Sequence, residues 1–143
     1  MKTQINFMNW KNPELALITG SSSGIGAEFA RQLAEQGFDL ILVARRKEKL
    51  NQLASLLIEK NDNKVEFLIA DLSQMSDIEK VVSRIKKLDN LDVLINNAGF
   101  GFMSPFLQIE QIKLVNMINV HFTSPVLFCH AALPKMIESE ELL

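Results

Sequence analysis

The stretch Thr19–Gly26, with the sequence TGSSSGIG, lies between a short apolar run and a helical pattern. The apolar run Leu15–Ile18 predicts a strand, so the glycines fall in a strand-to-helix turn. Glycine permits a tight turn and a close approach of the backbone to a ligand, and the first turn of the helix offers unpaired N–H groups and a positive dipole end. This arrangement is typical of turns that bind phosphate groups.

Short strand-like runs alternate with helical patterns over the rest of the chain, as expected of βαβ units and a parallel sheet. The predicted strands are Leu15 to Thr19, Leu40 to Val43, Val65 to Ile69 and Asp92 to Ile95. Apolar side chains at helical spacing predict three helices between them. Their expected buried faces are Ile25, Phe29, Ala30 and Leu33, then Leu50, Leu53, Ala54, Leu57 and Ile58, then Ile78, Val81, Val82 and Ile85.

Local signals mark the ends of these helices. Gly37 is expected to close the first helix, and Ser76–Glu79 to form a capping box that opens the third. Residues from about 104 to 142 are largely helical in pattern, with a bend or break expected near Pro125 and Pro134. Right-handed crossovers then give the strand order 3-2-1-4. We therefore expect one α/β domain over residues 1–143, with a Rossmann-like, doubly wound parallel sheet truncated after four strands and followed by a long helix.

Composition and charge exclude several classes of protein. The 143 residues are 22% charged with a net charge of −2, whereas nucleic-acid binding usually needs a strongly basic face. The single cysteine, Cys129, permits no internal disulfide, and its apolar neighbours predict a buried thiol. Two histidines and this cysteine show no ligand spacing, so no metal site is expected. The first six residues lack the apolar core of a signal peptide and no run approaches bilayer-spanning length, which predicts a cytoplasmic protein with no membrane partner.

Every polar or glycine-rich segment of interest follows a predicted strand. These segments are residues 19–26, 44–46, 71–72 and 96–101, which would gather at the edge where such sheets bind ligands. In combination, Thr-Gly-x-x-x-Gly-Ile-Gly, Ala44-Arg45-Arg46, Asp71-Leu72 and Asn96-Asn97-Ala98-Gly99 closely resemble the motifs of the short-chain dehydrogenase/reductase family. The resemblance covers nearly the whole chain from Leu15 onward. It implies a fold that binds a nicotinamide dinucleotide.

The residue after the second strand bears on which dinucleotide is bound. In such folds an acidic side chain there hydrogen-bonds the ribose 2′-OH, whereas a basic residue accommodates a 2′-phosphate. The position is Ala44 here, and Arg45 follows it, which favours NADP(H), with NADPH preferred to NADH. The alternative is that Arg45 and Arg46 are solvated surface charges.

The resemblance also implies contacts for the remaining segments. Asp71 and Leu72 should flank the adenine, although Asp71 could equally be only a turn residue, and Asn96 a structural residue of its loop. The predicted cofactor-binding residues are Gly20, Ser22, Ser23, Gly24, Ile25, Gly26, Arg45, Arg46, Asp71, Leu72, Asn97, Ala98 and Gly99.

The catalytic part of the resemblance is incomplete. Family enzymes transfer hydride between nicotinamide and a carbonyl or alcohol carbon of a small molecule, using a serine and a Tyr-x-x-x-Lys helix. This chain contains no tyrosine. Counted from Leu133-Pro134 or from Asn97, the family's asparagine position falls on His121 rather than Asn119. His121 could hold the same water or donate a hydrogen bond, or it could be a packed histidine satisfied by the backbone.

Three functions therefore stay open. The chain is the NADP(H)-binding portion of a short-chain oxidoreductase, expected to be inactive alone, or a non-catalytic NADP(H)-binding protein that acts as a sensor or completes a site with another chain. A methyltransferase-type nucleotide binder is disfavoured, because it would usually want an acid after the second strand. The unpaired fourth strand and the apolar last helices predict a homo-oligomer or association through those helices. The residues expected to form their exposed patch are Val126, Leu127, Phe128, Ala131, Leu133 and Met136.

Overall fold

Four parallel strands form the centre of the fold in a computed structural model of the chain. The structure describes the backbone of residues 12–140 and the side chains of residues 12–137, so the N-terminal residues on which the absence of a signal peptide was predicted lie outside it. The strands pair in the order β3-β2-β1-β4, which confirms the Rossmann-like fold class and its strand order. They are β1 (Leu15–Thr19), β2 (Asp39–Ala44), β3 (Val65–Ile69) and β4 (Leu91–Ile95).

Helices cover both faces of the sheet. Helices α1 (Gly24–Glu35) and α2 (Lys47–Asn61) pack on one face, and α3 (Met75–Ile85) and α5 (Ser124–Glu140) pack on the other. Successive side chains of β1 alternate between these faces, as the pleat of a strand requires. Because both faces are covered, every residue of β1 is buried, which explains the uninterrupted apolar run Leu15–Ile18 before Thr19.

The face of α1 that packs on the sheet differs from the prediction. Ile25 and Phe29 are 71% and 41% exposed, while the buried residues are Gly26, Ala27, Ala30 and Ala34. These small residues let the helix lie close to the sheet, and that fit decides which of two adjoining apolar faces turns inward. In α2 the same correction applies to Ile58, which is 46% exposed.

The ends of the helices follow the prediction at one point and depart from it at another. Gly37, with φ of 95°, follows the end of α1 as predicted. The capping box at Ser76–Glu79 is wrong, because α3 begins at Met75 and Gln74 precedes it without a side-chain cap. Asp77 instead accepts a hydrogen bond from the backbone N–H of Asp71, 2.7 Å away, and so secures the loop after β3.

The C-terminal helical region is interrupted once. Helix α4 (Gln111–Ile118) continues through a π-helical turn (Asn119–Thr123) into α5, and a short 3₁₀ turn (Phe106–Gln108) precedes α4. Pro125 lacks an N–H group and cannot donate to the carbonyl of His121, so the helix is irregular near this residue, as predicted, but it continues through the π-helical turn without a break. No break occurs at Pro134, which lies inside α5.

One face of α4 and α5 is apolar and exposed, and we call it the apolar stripe. Its residues, each about half exposed or more, are Ile112, Val115, Ile118, Phe122, Val126, Leu133 and Ile137. Two residues predicted for an exposed patch, Phe128 and Ala131, are instead buried against the sheet. Cys129, predicted to be buried, is half-buried.

The continuous helical stretch Gln111–Ile137 also bears on the membrane prediction. It has 27 residues and a mean hydropathy of 1.2, so by length and composition alone it could cross a membrane. The expectation that no run approaches that length is therefore wrong. Core helices of soluble proteins also have this length and composition, but they are mostly buried. Only 17% of the apolar window in this stretch is buried, and the stretch packs on the sheet through Val120, Phe128 and Ala132.

Candidate functional site

A cleft of about 730 Å³ lies at the C-terminal edge of the sheet. The turn after β1, the ends of β2 and β3, and the loop after β4 line it, so the four segments singled out in the sequence do meet. Two of the predicted site residues, Gly26 and His121, do not line it. Those that do are Gly20, Ser22, Ser23, Gly24, Ile25, Arg45, Arg46, Asp71, Leu72, Asn97, Ala98 and Gly99.

Gly20 and Gly26 allow three backbone segments to pack against one another. Gly20 has φ of +68°, and a Cβ there would lie 2.8 Å from the Cα of Ala98. A Cβ on Gly26 would lie 2.5 Å from the Gly20 carbonyl oxygen and 2.5 Å from Nδ2 of Asn97. Gly26 therefore supports the turn from beneath, which is why it does not line the cleft.

Gly24 has a different environment. Its φ is +58°, and a Cβ there would meet nothing within 4 Å. Because α1 begins at Gly24, its first N–H groups have no acceptor within the helix, and they lie beside this open space. The turn therefore combines free donors with room for an anion.

Thr19 and Asn97 join the ends of β1 and β4. Thr19 Oγ1 accepts hydrogen bonds from the backbone N–H groups of Asn97 and Ala98, both at 3.1 Å. In return, Asn97 Nδ2 donates to the carbonyls of Thr19 and Gly20, at 3.1 and 3.3 Å. These bonds hold the loop after β4 against the glycine turn.

Arg46 lies across the glycine turn. Its Nη2 donates to Oγ of Ser22 at 3.0 Å and to Oγ of Ser23 at 2.6 Å. Arg45 also lines the cleft but has no hydrogen bond to another residue in the described part of the chain. Both arginines are exposed where they line the cleft, and the Arg45 side chain has no hydrogen bond to the described residues that would compete with an anion.

Asp71 and Leu72 follow β3 and line the end of the cleft that is opposite the loop after β4. Oδ1 of Asp71 accepts from the backbone N and Oγ of Ser73, at 3.0 and 2.8 Å. Leu72 is buried in the core. Asp71 thus forms a turn with Ser73, as one alternative predicted, and its second carboxylate oxygen has no hydrogen bond to the described residues.

His121 lies behind the loop after β4. Its Nε2 is 3.0 Å from the backbone N and 2.6 Å from the carbonyl O of Phe100, and the tautomer decides which contact is the hydrogen bond. Its Cε1 is 2.7 Å from where a Cβ of Gly99 would be. Backbone groups therefore engage the Nε2 atom of His121, in agreement with the packing alternative.

Two residues that hold the loops of the cleft, Thr19 and Asn119, are not among the predicted site residues. Thr19 was predicted only as part of the strand and of the glycine motif, and Asn119 only as an alternative to His121, yet both bind the loops that line the cleft. The only signal for Thr19 and Asn119 in the sequence is that each is a polar residue at the end of a strand or helix. Among the described residues, no group of three or more His, Cys, Asp or Glu side chains could hold a metal ion.

Comparison with known proteins agrees with the fold and the cleft. The sequence model of the family described as short chain dehydrogenase matches residues 14–141. Hydroxysteroid dehydrogenase-like protein 1 of Gallus gallus is 32% identical over 128 residues, which are 88% of this chain and 39% of that protein. The very-long-chain 3-oxoacyl-CoA reductase of Yarrowia lipolytica is 36% identical over 131 residues, which are 87% of this chain and 33% of that protein.

A solved structure gives the same result. The short-chain dehydrogenase from Sphingobium yanoikuyae in complex with NADPH has a TM-score of 0.85 to this chain and 37% sequence identity, over 90% of this chain and 50% of the other. The fold and its glycine turn define an α/β protein of the Rossmann-like, doubly wound class. The chain belongs to the short-chain dehydrogenase family, and it spans 39% and 33% of the two curated relatives named above.

Proposed function

We propose that this chain forms the NADP(H)-binding portion of a short-chain oxidoreductase. The observation that carries the proposal is the pair of arginines at the rim of the cleft, beside a glycine turn with free helix N–H groups. The related dehydrogenase from Sphingobium yanoikuyae was solved in complex with NADPH, which supports the same class of ligand here.

The residues present fit such a dinucleotide. Open space at Gly24 and the N-terminus of α1 suit the pyrophosphate, whose charge the unpaired N–H groups and the helix dipole stabilise. The strand order puts the loop after β3 and the loop after β4 at opposite ends of the cleft. In the proposed pose the adenine lies beside Asp71 and Leu72, and a ribose lies along Asn97, Ala98 and Gly99.

The preference for NADPH over NADH follows from charge. Ala44 offers no carboxylate to bind a free ribose 2′-OH or to repel a 2′-phosphate. Arg45 has an unengaged guanidinium group, and Arg46 already lies over Ser22 and Ser23. A phosphate bound between them accepts charge-assisted hydrogen bonds, each worth about 1.5–3 kcal/mol.

The proposed reaction is hydride transfer between the nicotinamide and a carbonyl or alcohol carbon of a small-molecule substrate. The cofactor, when bound, would donate the hydride to a carbonyl carbon or accept it from an alcohol carbon, and the residues of this chain would bind and orient the cofactor. The 143 residues contain no tyrosine, so the proton donor of the family's chemistry is not among them. We therefore expect no turnover by these residues alone, and His121 acts through the loop it holds. The sequence-based expectation of a cytoplasmic location without nucleic-acid or membrane partners stays a prediction.

Fluorescence titration with NADPH and NADH tests the cofactor assignment. We expect NADPH to bind at least about tenfold more tightly, since one charge-assisted hydrogen bond has that effect. Arg45→Ala and Arg46→Ala should each lower this ratio by about tenfold and leave NADH affinity nearly unchanged. Arg31→Ala removes one positive charge from the outer surface of α1 and serves as the matched control. Equal affinity of the wild-type chain for both cofactors would refute the preference.

We also propose that the chain associates through the apolar stripe, either with a second copy or with another polypeptide. The stripe presents seven large apolar side chains on one helical face, and isolated proteins seldom expose so continuous an apolar surface.

NADP(H) binding without catalysis, as a sensor or in a site completed by another chain, stays the alternative prediction. An assay of NADPH oxidation with a panel of ketones and aldehydes, run on the longest natural product of the coding DNA, separates the two.

A further inference from the structure

Asn119 connects the C-terminal helices to the loop after β3. It is the first residue of the π-helical turn, and its Nδ2 donates to the carbonyl oxygen of Ser73 at 3.0 Å. Its Oδ1 accepts from Oγ1 of Thr123 at 3.2 Å. Both ends of the amide are engaged, so its orientation is set on one side by its own helix and on the other by the loop.

Ser73, which Asn119 contacts, in turn binds the carboxylate of Asp71. Its backbone N–H and its hydroxyl both donate to Oδ1 of Asp71, while the Asp71 N–H donates to Asp77. One carboxylate oxygen is therefore held, and Oδ2 is left without a hydrogen bond to the described residues. The orientation of the Asp71 carboxylate therefore depends on the position of Ser73, which the hydrogen bond from Asn119 fixes.

Asn119 and His121 lie in the same π-helical turn but contact different loops. Asn119 and His121 are two residues apart, and yet Asn119 contacts the loop after β3 whereas His121 contacts the loop after β4. Those loops follow the two outer strands of the sheet. The two ends of the cleft therefore have independent supports from one turn of helix.

We propose that Asn119 is a positioning residue that sets the base selectivity of the cleft. By holding Ser73 it orients Asp71 so that Oδ2 accepts a hydrogen bond from the exocyclic amine of adenine. This inference rests on the proposed function, namely that the cleft binds NADP(H) with the adenine at Asp71. A purine with a carbonyl in place of that amine would face the carboxylate with an acceptor and bind more weakly.

The test compares NADPH with its hypoxanthine analogue, reduced nicotinamide hypoxanthine dinucleotide phosphate, by fluorescence titration of the full chain. The wild-type chain should bind NADPH about tenfold more tightly. Asn119→Asp keeps the shape of the side chain and the acceptor for Thr123 but cannot donate to Ser73, so the ratio should fall at least threefold. His130→Ala, at an exposed position of α5, is the matched control and should leave the ratio unchanged.

Each other outcome is decisive. An Asn119→Asp variant that weakens both dinucleotides by the same factor shows a structural role only and overturns the inference. A wild-type chain that binds both dinucleotides equally overturns it too, while cofactor binding stands. Binding of neither refutes the proposed function and with it the base selectivity.

Hydrogen exchange gives a reading that needs no ligand. The amide of Ser73 should exchange faster in Asn119→Asp, whereas that of Phe100, which contacts His121, should not change. If Asn119→Asp fails to fold, Thr123→Val replaces it, since it frees the Asn119 amide without adding charge. That variant should lower the base ratio and speed exchange at Ser73 by smaller factors, and no change in either would overturn the inference.

Discussion

Replacing Gly26 by alanine should destabilise the chain although alanine favours helices. Gly26 lies in the first turn of α1, where alanine is better than glycine by about 1 kcal/mol. The new Cβ would lie 2.5 Å from the carbonyl oxygen of Gly20 and 2.5 Å from Nδ2 of Asn97. Neither is the free end of a flexible side chain, because Asn97 Nδ2 is bonded to the carbonyls of Thr19 and Gly20.

The size of the effect follows from these contacts. Overpacking costs about 1–3 kcal/mol, and each hydrogen bond that Asn97 loses costs about 0.5–1.5 kcal/mol. After the helix preference is allowed for, we expect the free energy of unfolding to fall by about 3 kcal/mol. Urea denaturation followed by far-ultraviolet circular dichroism measures this difference.

Two further variants make the result specific. Gly101→Ala is the matched control, since a Cβ there meets nothing within 4 Å, and its stability should stay within about 0.5 kcal/mol of the wild type. In an Asn97→Ala background the clash with Nδ2 disappears, so Gly26→Ala should cost at least about 0.5 kcal/mol less. A Gly26→Ala chain as stable as the wild type, or more stable, would refute the claim that three segments meet at this glycine.

Two other predictions concern surface groups. Hydrogen bonds from Arg84 lower the pKa of Glu66 below its usual 4.5, so the pair stabilises the fold above about pH 4.5, and this contribution is lost as the pH falls through the lowered pKa. Because the two side chains are 31% and 42% exposed, Glu66→Gln should cost less than about 1 kcal/mol at pH 7, and this cost should shrink as the pH falls below 4.5. A cost that stays the same down to the acid end of the stable range would contradict the assignment. Light scattering of the wild-type chain should show dimers or larger species. Val126→Asp, within the apolar stripe, should lower the measured mass toward that of the monomer. Met103→Asp, in the exposed loop after β4, is the control and should leave the mass unchanged. A wild-type chain that is already monomeric and unfolds cooperatively would count against association.

The strands and the glycine turn were predictable because their signals are local. The bounds of β1 and β3 agree with the predicted Leu15–Thr19 and Val65–Ile69. A strand buried on both faces needs a continuous apolar run, and a left-handed turn before a helix needs glycine. The clustering of residues 19–26, 44–46, 71–72 and 96–101 then followed from strand order alone, since the carboxyl ends of parallel strands meet at one edge.

The face of a helix that packs inward was not predictable in the same way. In α1, two apolar faces lie side by side, and periodicity does not distinguish the small residues Ala27, Ala30 and Ala34 from the larger Ile25 and Phe29. The choice depends on how closely the helix must approach the sheet at Gly26. The capping box at Ser76–Glu79 failed because the helix begins one residue earlier, at Met75, so Ser76 lies inside its first turn.

By itself the sequence determined the order of the elements, the parallel sheet, the position of the glycine turn and membership of the short-chain dehydrogenase family. Only the tertiary structure decided which side chains support that turn. It placed Arg46 over Ser22 and Ser23, joined Asn97 to Thr19, and brought Asn119 to Ser73. The physical reason is that these partners are separated by 23 to 78 positions in the chain. A hydrogen bond forms only where packing brings its donor and acceptor within about 3 Å, and no local pattern of residues encodes that distance.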